Sequence, residues 1–427
     1  MKWRNQILAL SCLVVFAGLG VLYFQHWVVQ KPFGIVLFIG EGLAPDRLAA
    51  TRIYLGGADA KLTFDSMKHV ALLTNYSKDF ATPDQAAAAT AIATGVKVKN
   101  RAISVDSDGN RLRSLIALAR ENGRATGLVT NANLTDPTNA AFYAHAIEGT
   151  DNNDIARQLI DGANIDIVMG GGVGPFVPES KGGYRQDGRD LLLECRRNGF
   201  DIVYTRAELE AIPAWRRAKL FGAFATAEMA FANDIEEKSE QPSLADMVRR
   251  AIELLQYNPG GYLLVVDAGL MRKAAQENNA ERTFGETVEL DRALAMGLRY
   301  AGHKSTIILC GDVAIGGLSL NGFPFRRDSG IALLGLNSAG QPWITWATGP
   351  NGIKSYGASR AATQNEKNGR APSETSAKEH VEPATLYAKS ALNTADDVIA
   401  LGIGPGTDAL YGSLENTIIF KIIRNEL

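Results

Sequence analysis

A chain of 427 residues, 46% hydrophobic and 21% charged with 43 glycines, is long enough for one large globular domain or two of average size. A formal net charge of -2, with Lys+Arg 44 against Asp+Glu 46 and no dense basic run, gives no ground for a nucleic-acid partner. The three cysteines, Cys12, Cys195 and Cys310, are too widely spaced for a disulfide framework or a thiolate metal site.

The first element is apolar. Lys2 and Arg4 precede a run from Ile7 to Phe24 that is just long enough, at about 1.5 Å per residue, to cross a hydrocarbon core of about 30 Å. Leu22, Tyr23, Phe24 and Trp27 are bulky where a cleavage site needs small residues, so residues 1–30 read as an uncleaved signal anchor. The basic start places the anchor's head in the cytoplasm and residues 31–427 outside it, as a membrane-anchored extracytoplasmic domain.

Continuous apolar runs that end in glycine follow: "FGIVLFIGEG", "ATGLVTNA", "IDIVMGGG", "GYLLVVDAG" and "STIILCGD". Each reads as a strand buried on both faces, as in a parallel sheet. Between them, "SLIALARENG", "NDIARQLIDG", "PSLADMVRRAIELLQYN" and "GETVELDRALAMGLRYAG" carry helical periodicity. Strands alternating with amphipathic helices specify an α/β domain with a mostly parallel central sheet and helices on both faces. Functional residues of such sheets gather at the carboxyl ends of strands, where Glu41, Asp136, Asp267 and Asp312 stand. Residues 321–391, rich in Gly, Ser, Asn and Pro, read as an irregular polar insertion. The closing "NTIIFKII" suits either a helix or a strand.

Six segments, in order, resemble the alkaline phosphatase family: "IVLFIGEGL", "TPDQAAAATAIATGVK", "TDPTNAAFYAH", "VVDAGLMRKAAQ", "GDVAIGGLSL" and "NTADDVIALGIGPG". The resemblance runs from about Gly34 to Ile423 and implies that family's three-layer sandwich. It also implies chemistry in which a serine at a helix start attacks phosphorus beside two zinc ions, an arginine clamps the phosphoryl group, and a magnesium site of oxygen donors supports the arrangement.

Several of the implied positions hold other residues. Gln85 stands in the nucleophile's place, after a Pro83-Asp84 pair suited to a helix start. The first zinc site would fall on Arg272, Gln276 and Asn393, and the second on Glu41, Gln85, Asp312 and Val313. Arginine cannot ligate a metal, and valine replaces an imidazole, so zinc is not expected. Arg272 is expected to supply a tethered positive charge and to pair with Asp312. The clamp position falls on Gly149. The magnesium positions alone keep hard oxygen donors, Glu41, Asp136, Thr138 and Asp267, with Asp312 as a remnant of the zinc site. They suit one Mg2+ or Ca2+ ion, or else an ion-free network around Arg272.

Three readings follow from this pattern. The first is a membrane-anchored pseudophosphatase that works by binding an unknown protein or an anion. The second is a metal-dependent phosphoester hydrolase with a water nucleophile, and the third a structural envelope component. Family analogy adds a homodimer.

Overall fold

The computed structural model describes residues 2–23, 33–149, 151–215, 219–235, 240–322, 327, 330–337, 339–353 and 382–427. Fourteen strands are present among them: β1 Gly34–Gly40, β2 His69–Thr74, β3 Ala125–Asn133, β4 Ile167–Gly171, β5 Asp201–Val203, β6 Leu220–Ala223 and β7 Tyr262–Ala268 in the first part. The second part adds β8 Thr306–Gly311, β9 Leu318–Leu320, β10 Ile344–Gly349, β11 Gly352–Ile353, β12 Ala384–Tyr387, β13 Val398–Ile403 and β14 Tyr411–Glu415. The helices are α1 Lys2–Tyr23, α2 Pro45–Gly56, α3 Gln85–Thr94, α4 Leu115–Glu121, α5 Pro137–Ala140 and α6 Asn152–Gln158. They continue with α7 Leu191–Arg197, α8 Arg206–Ala211, α9 Leu244–Leu255, α10 Leu270–Gln276, α11 Ala280–Tyr300 and α12 Ile418–Glu426.

Ten strands form one sheet in the order β14-β2-β13-β8-β1-β7-β3-β4-β6-β5, in which β13 alone runs against the others. The expected mostly parallel α/β sandwich is therefore present. β1, β7 and β8 at its centre are buried at every residue, because helices cover both faces. One core cluster contains Ile35, Leu37, Ile39, Leu263 and Val265; the other contains Val36, Phe38, Leu264 and Val266. Alternate residues of one strand thus feed opposite layers, which is the period-2 geometry of a strand covered twice. Helix α9 begins in a capping box made by Ser243 and Asp246.

A second, four-stranded sheet in the order β11-β12-β10-β9 corrects the expectation of an irregular insertion over 321–391. Its described part is organised around buried Ile344 and Trp346, packed with Phe284 and Ile315. Strands of two to six residues leave too little periodicity to read beside glycine and proline. Residues 354–381 of that insertion, with His380, lie outside the described residues.

Helix α1 holds the one described segment long and apolar enough to cross a membrane, Trp3–Val21. It shares no burial with the rest of the molecule. The closing apolar run is the helix α12, which packs Ile419 and Ile423 into the core.

Candidate functional site

The register of the central strands brings four acids to one edge. Glu41 follows β1, Asp267 is the penultimate residue of β7, Asp312 follows β8, and Asp136 heads α5 after β3. Asp267 is level with Ile39 on one side and Thr130 on the other. Glu41, Asp267 and Asp312 are wholly buried. The backbone approaches closely here: a Cβ on Gly269 would lie 3.0 Å from Asp267 Oδ2 and 3.6 Å from Glu41 Oε1. Both carboxylates therefore face a small space that only a glycine leaves open.

Arg272, one turn into α10, enters that space. Its Nε donates to Glu41 Oε2 and its Nη2 to Asp136 Oδ2 at 2.6 Å. The expected pairing with Asp312 goes instead to Glu41 and Asp136, since Asp312 follows β8, beyond β1 from the strand that feeds α10. Burial works against the guanidinium's charge, but Glu41 and Asp136 outweigh it and raise its pKa above the usual arginine value.

The other two acids are held differently. Asp312 Oδ1 accepts from the backbone N–H of Gly42 at 2.9 Å and of Val313 at 2.6 Å. Burial and then the charge of Glu41 push its carboxyl up to about 7. Asp267 Oδ2 accepts from Thr130 Oγ1 at 2.8 Å and Asn139 Nδ2 at 2.9 Å. Burial, followed by Glu41, raises Asp267 well above the ordinary carboxylate range. Burial also raises Asp136, against the opposing pull of Arg272. Four buried oxygens of this group have no hydrogen-bond partner: Glu41 Oε1, Thr138 Oγ1, Asp267 Oδ1 and Asp312 Oδ2. Among the described residues, however, no three of His, Cys, Asp and Glu are grouped to hold a metal ion.

The helix α3 starts as its sequence requires. Asp84 caps it, accepting from Ala87 N at 2.8 Å, and a second oxygen accepts from Arg101 N at 2.6 Å. Gln85, the first helical residue, donates through Nε2 to Asn393 Oδ1 at 3.2 Å, and Asn393 Nδ2 donates to Pro83 O at 2.9 Å. Two amides thus close on each other. Val313 is fully buried, and Gln276 lines an open cleft of about 490 Å³ with Arg272, Lys273, Glu228 and Lys389. Lys273 is engaged with Glu228 at 2.7 Å. Gly149 lies apart from these groups: its N–H donates to Arg101 O at 2.9 Å, and a Cβ there would sit 2.2 Å from Ile103 Cδ1.

Sequence reasoning missed Thr130, Asn139 and Arg47. Thr130 and Asn139 satisfy Asp267; their signal was a hydroxyl in a buried strand and an amide directly after Thr138. Arg47, wholly buried on α2, lies beneath Gly42 and donates to Glu41 O at 3.4 Å and Ile315 O at 3.0 Å. Burial lowers its pKa to about 10. The signal was Pro45-Asp46-Arg47 at a helix start directly after the first acidic turn.

Sequence and fold comparisons identify the family. The alkaline phosphatase family model matches residues 34–427, and the chain belongs to that family. It is 30% identical over 334 residues to the tissue-nonspecific alkaline phosphatase of Gallus gallus, covering 67% of this chain and 64% of that protein. It is 27% identical over 424 residues to alkaline phosphatase 4 of Bacillus subtilis, covering 91% and 88%. The chain thus spans just under two thirds of the Gallus gallus protein and nearly all of the Bacillus subtilis one. Among solved structures, the alkaline phosphatase of Thermus thermophilus superposes with a TM-score of 0.73 at 22% identity, over 93% of this chain and 92% of that one. That of the Antarctic bacterium TAB5 gives 0.70 at 20%, over 93% and 98%.

Proposed function

We propose that this chain is a membrane-anchored alkaline phosphatase-family protein that has given up the two-zinc, phosphoseryl chemistry and works by binding. One observation carries the reading: the guanidinium of Arg272 bridges Glu41 and Asp136, where a metal-bridged site needs free carboxylates. The surrounding donor set argues the same way. Arg272, Gln276, Asn393 and Val313 offer a cation, two amides and an alkyl group, and zinc prefers imidazole or thiolate. Gln85, tied to Asn393, has no ionisable nucleophile to offer. The cleft beside Arg272 is the proposed binding place; Lys389 stands in it with Lys273, whose charge Glu228 offsets, and with Glu277.

A second reading rests on a different observation. The orphaned oxygens of Glu41, Thr138 and Asp267 are hard donors, so they could hold one Mg2+ or Ca2+ ion beside the guanidinium. Variants of the TAB5 enzyme with magnesium bound in their M3 site are among the fold neighbours. Such an ion would supply charge for a phosphoester; Asp267, held by Thr130 and Asn139, would be the residue fixing its place.

The test is hydrolysis of p-nitrophenyl phosphate by the purified full chain with Zn2+, Mg2+, Mn2+ or Ca2+ added, alongside elemental analysis. No turnover, with zinc absent from the protein, supports the binding reading. Turnover that Asp267→Asn abolishes overturns it and establishes the second.

A further inference from the structure

The chain enters the large sheet at Phe33, directly before β1, and the candidate site lies at the far end of that strand. Register sets the first residues of β1, β3, β7 and β8 level with one another and with the last residues of β13. The start of β2 lies at the same edge, paired with Gly402. Helices α4 and α11 run into β3 and β8, so their C-terminal ends reach this edge too. Arg124 ties it together, donating through Nη1 to Phe33 O at 3.2 Å and through Nη2 to Glu426 O at 3.0 Å, at the end of α12.

The entry edge exposes Lys68, Arg120, Arg299, Lys304 and Arg424. Lys68, Arg120, Arg299 and Arg424 make no ion pair among the described residues. Of the acids at this edge, Glu121 pairs with Arg113, Glu253 with Arg249 and Arg250, and Asp166 accepts from Thr126 N at 2.9 Å, while Asp201 and Glu426 are half-buried and Asp408 is exposed. The same edge exposes aromatic rings: Phe33 at 40%, Tyr257 at 46% and Tyr411 at 72%.

Arg120, Arg299 and Arg424 stand in the last turns of their helices, where the macrodipole favours a cation. That accounts for three of the charges locally. It does not account for Lys68, which precedes a strand, or for the exposed rings. Basic side chains interleaved with aromatic ones suit an anionic lipid headgroup layer.

We propose that this entry edge docks on an anionic lipid surface, with the candidate site facing away from the membrane. The proposal rests on the reading of α1 as a membrane anchor. Residues 24–32 span at most about 30 Å of extended chain, so the anchor keeps the edge close to the bilayer and makes a weak attraction effectively intramolecular. The basic and aromatic edge fixes the domain's orientation.

The test uses the full chain in nanodiscs, either all phosphatidylcholine or rich in phosphatidylglycerol, followed by amide hydrogen exchange. In anionic discs, exchange over residues 120–125, 299–305 and 408–412 should slow at least about threefold, and the effect should vanish at about 0.5 M salt. A Lys68→Glu, Arg299→Glu, Lys304→Glu triple variant should lose the protection, while residues 41–44 exchange alike in both discs. Equal exchange in the two discs, with the chain embedded in both, overturns docking and leaves the anchor standing. Protection that appears in neutral discs and grows with protein concentration also overturns it, in favour of a protein partner. A chain that enters neither disc sinks the anchor reading instead. Docking then survives only if the same chain binds anionic vesicles and salt releases it, and fails if it binds neither vesicle.

Discussion

Replacing Arg272 with methionine isolates the feature on which the functional reading turns. The substitution keeps much of the side chain's volume and removes the cation between Glu41 and Asp136. Glu41 is wholly buried, Asp136 is 16% exposed and Arg272 is 20% exposed in their side chains. Removing one partner of a buried ion pair costs about 3–5 kcal/mol, because the acids stay behind uncompensated. Partial exposure of Arg272 and Asp136 places the expected loss near the lower end, about 3 kcal/mol at pH 8. The loss is pH-dependent, and its sign follows from linkage. Without the guanidinium, Asp136 loses the charge that holds its already raised pKa down, so the folded variant keeps a proton over a wider pH range than wild type does. Its stability therefore falls as pH rises, and the deficit against wild type should be smaller at pH 5 than at pH 8. Arg272→Lys should recover only part of it, since an ammonium cannot present a planar fork to two carboxylates. The assay is urea unfolding followed by tryptophan emission, to which buried Trp346 contributes, at both pH values and with matched slopes. A loss under about 1 kcal/mol, or one equal at the two pH values, would refute the buried-pair argument.

Gln85→Ser alone should yield no p-nitrophenyl phosphate turnover above the wild-type blank with zinc and magnesium present, because no imidazole or zinc stands by to activate the hydroxyl. A rise in turnover would mean that the site retains the rest of the machinery. Glu286 accepts from Asn131 Nδ2 and Ala232 N, and burial pushes its carboxyl up to about 8 from 4.5. A raised acid costs stability as pH climbs from its unfolded to its folded value, here on the order of 5 kcal/mol across that window. Glu286→Gln should flatten the fall in urea midpoint between those pH values, and an unchanged slope would assign the titration elsewhere. Gly95 ends α3 at φ 73°, with the place of its Cβ 2.4 Å from Phe420 Cδ1. Gly95→Ala should cost about 1–2 kcal/mol, read as a lowered melting temperature.

The central sheet was legible because strands covered on both faces must be apolar throughout, and "IVLFIG", "YLLVVDA" and "TIILCG" can be little else. The gathering of Glu41, Asp136 and Asp267 at one sheet edge was legible because each ends or closely follows such a run. The partner of Arg272 was not. Sequence spacing puts Arg272 near several acids, but strand order decides which it reaches, and Asp312 lies across β1 with two backbone N–H groups already on it. Thr130 and Asn139 were invisible as partners of Asp267 because both contacts depend on register between separate strands and helices. The small sheet around Trp346 was hidden for the opposite reason: its strands are too short to carry a pattern, and tertiary packing defines them.

The central claim is that a guanidinium occupies the carboxylates of Glu41 and Asp136 that a metal ion would need. Anomalous diffraction at the zinc edge, from crystals of the chain soaked in Zn2+, tests it most directly. The account predicts no anomalous peak among Glu41, Asp136, Arg272 and Asp312, with Arg272 density joined to both Glu41 and Asp136. A zinc peak there, with the Arg272 side chain displaced, would contradict it.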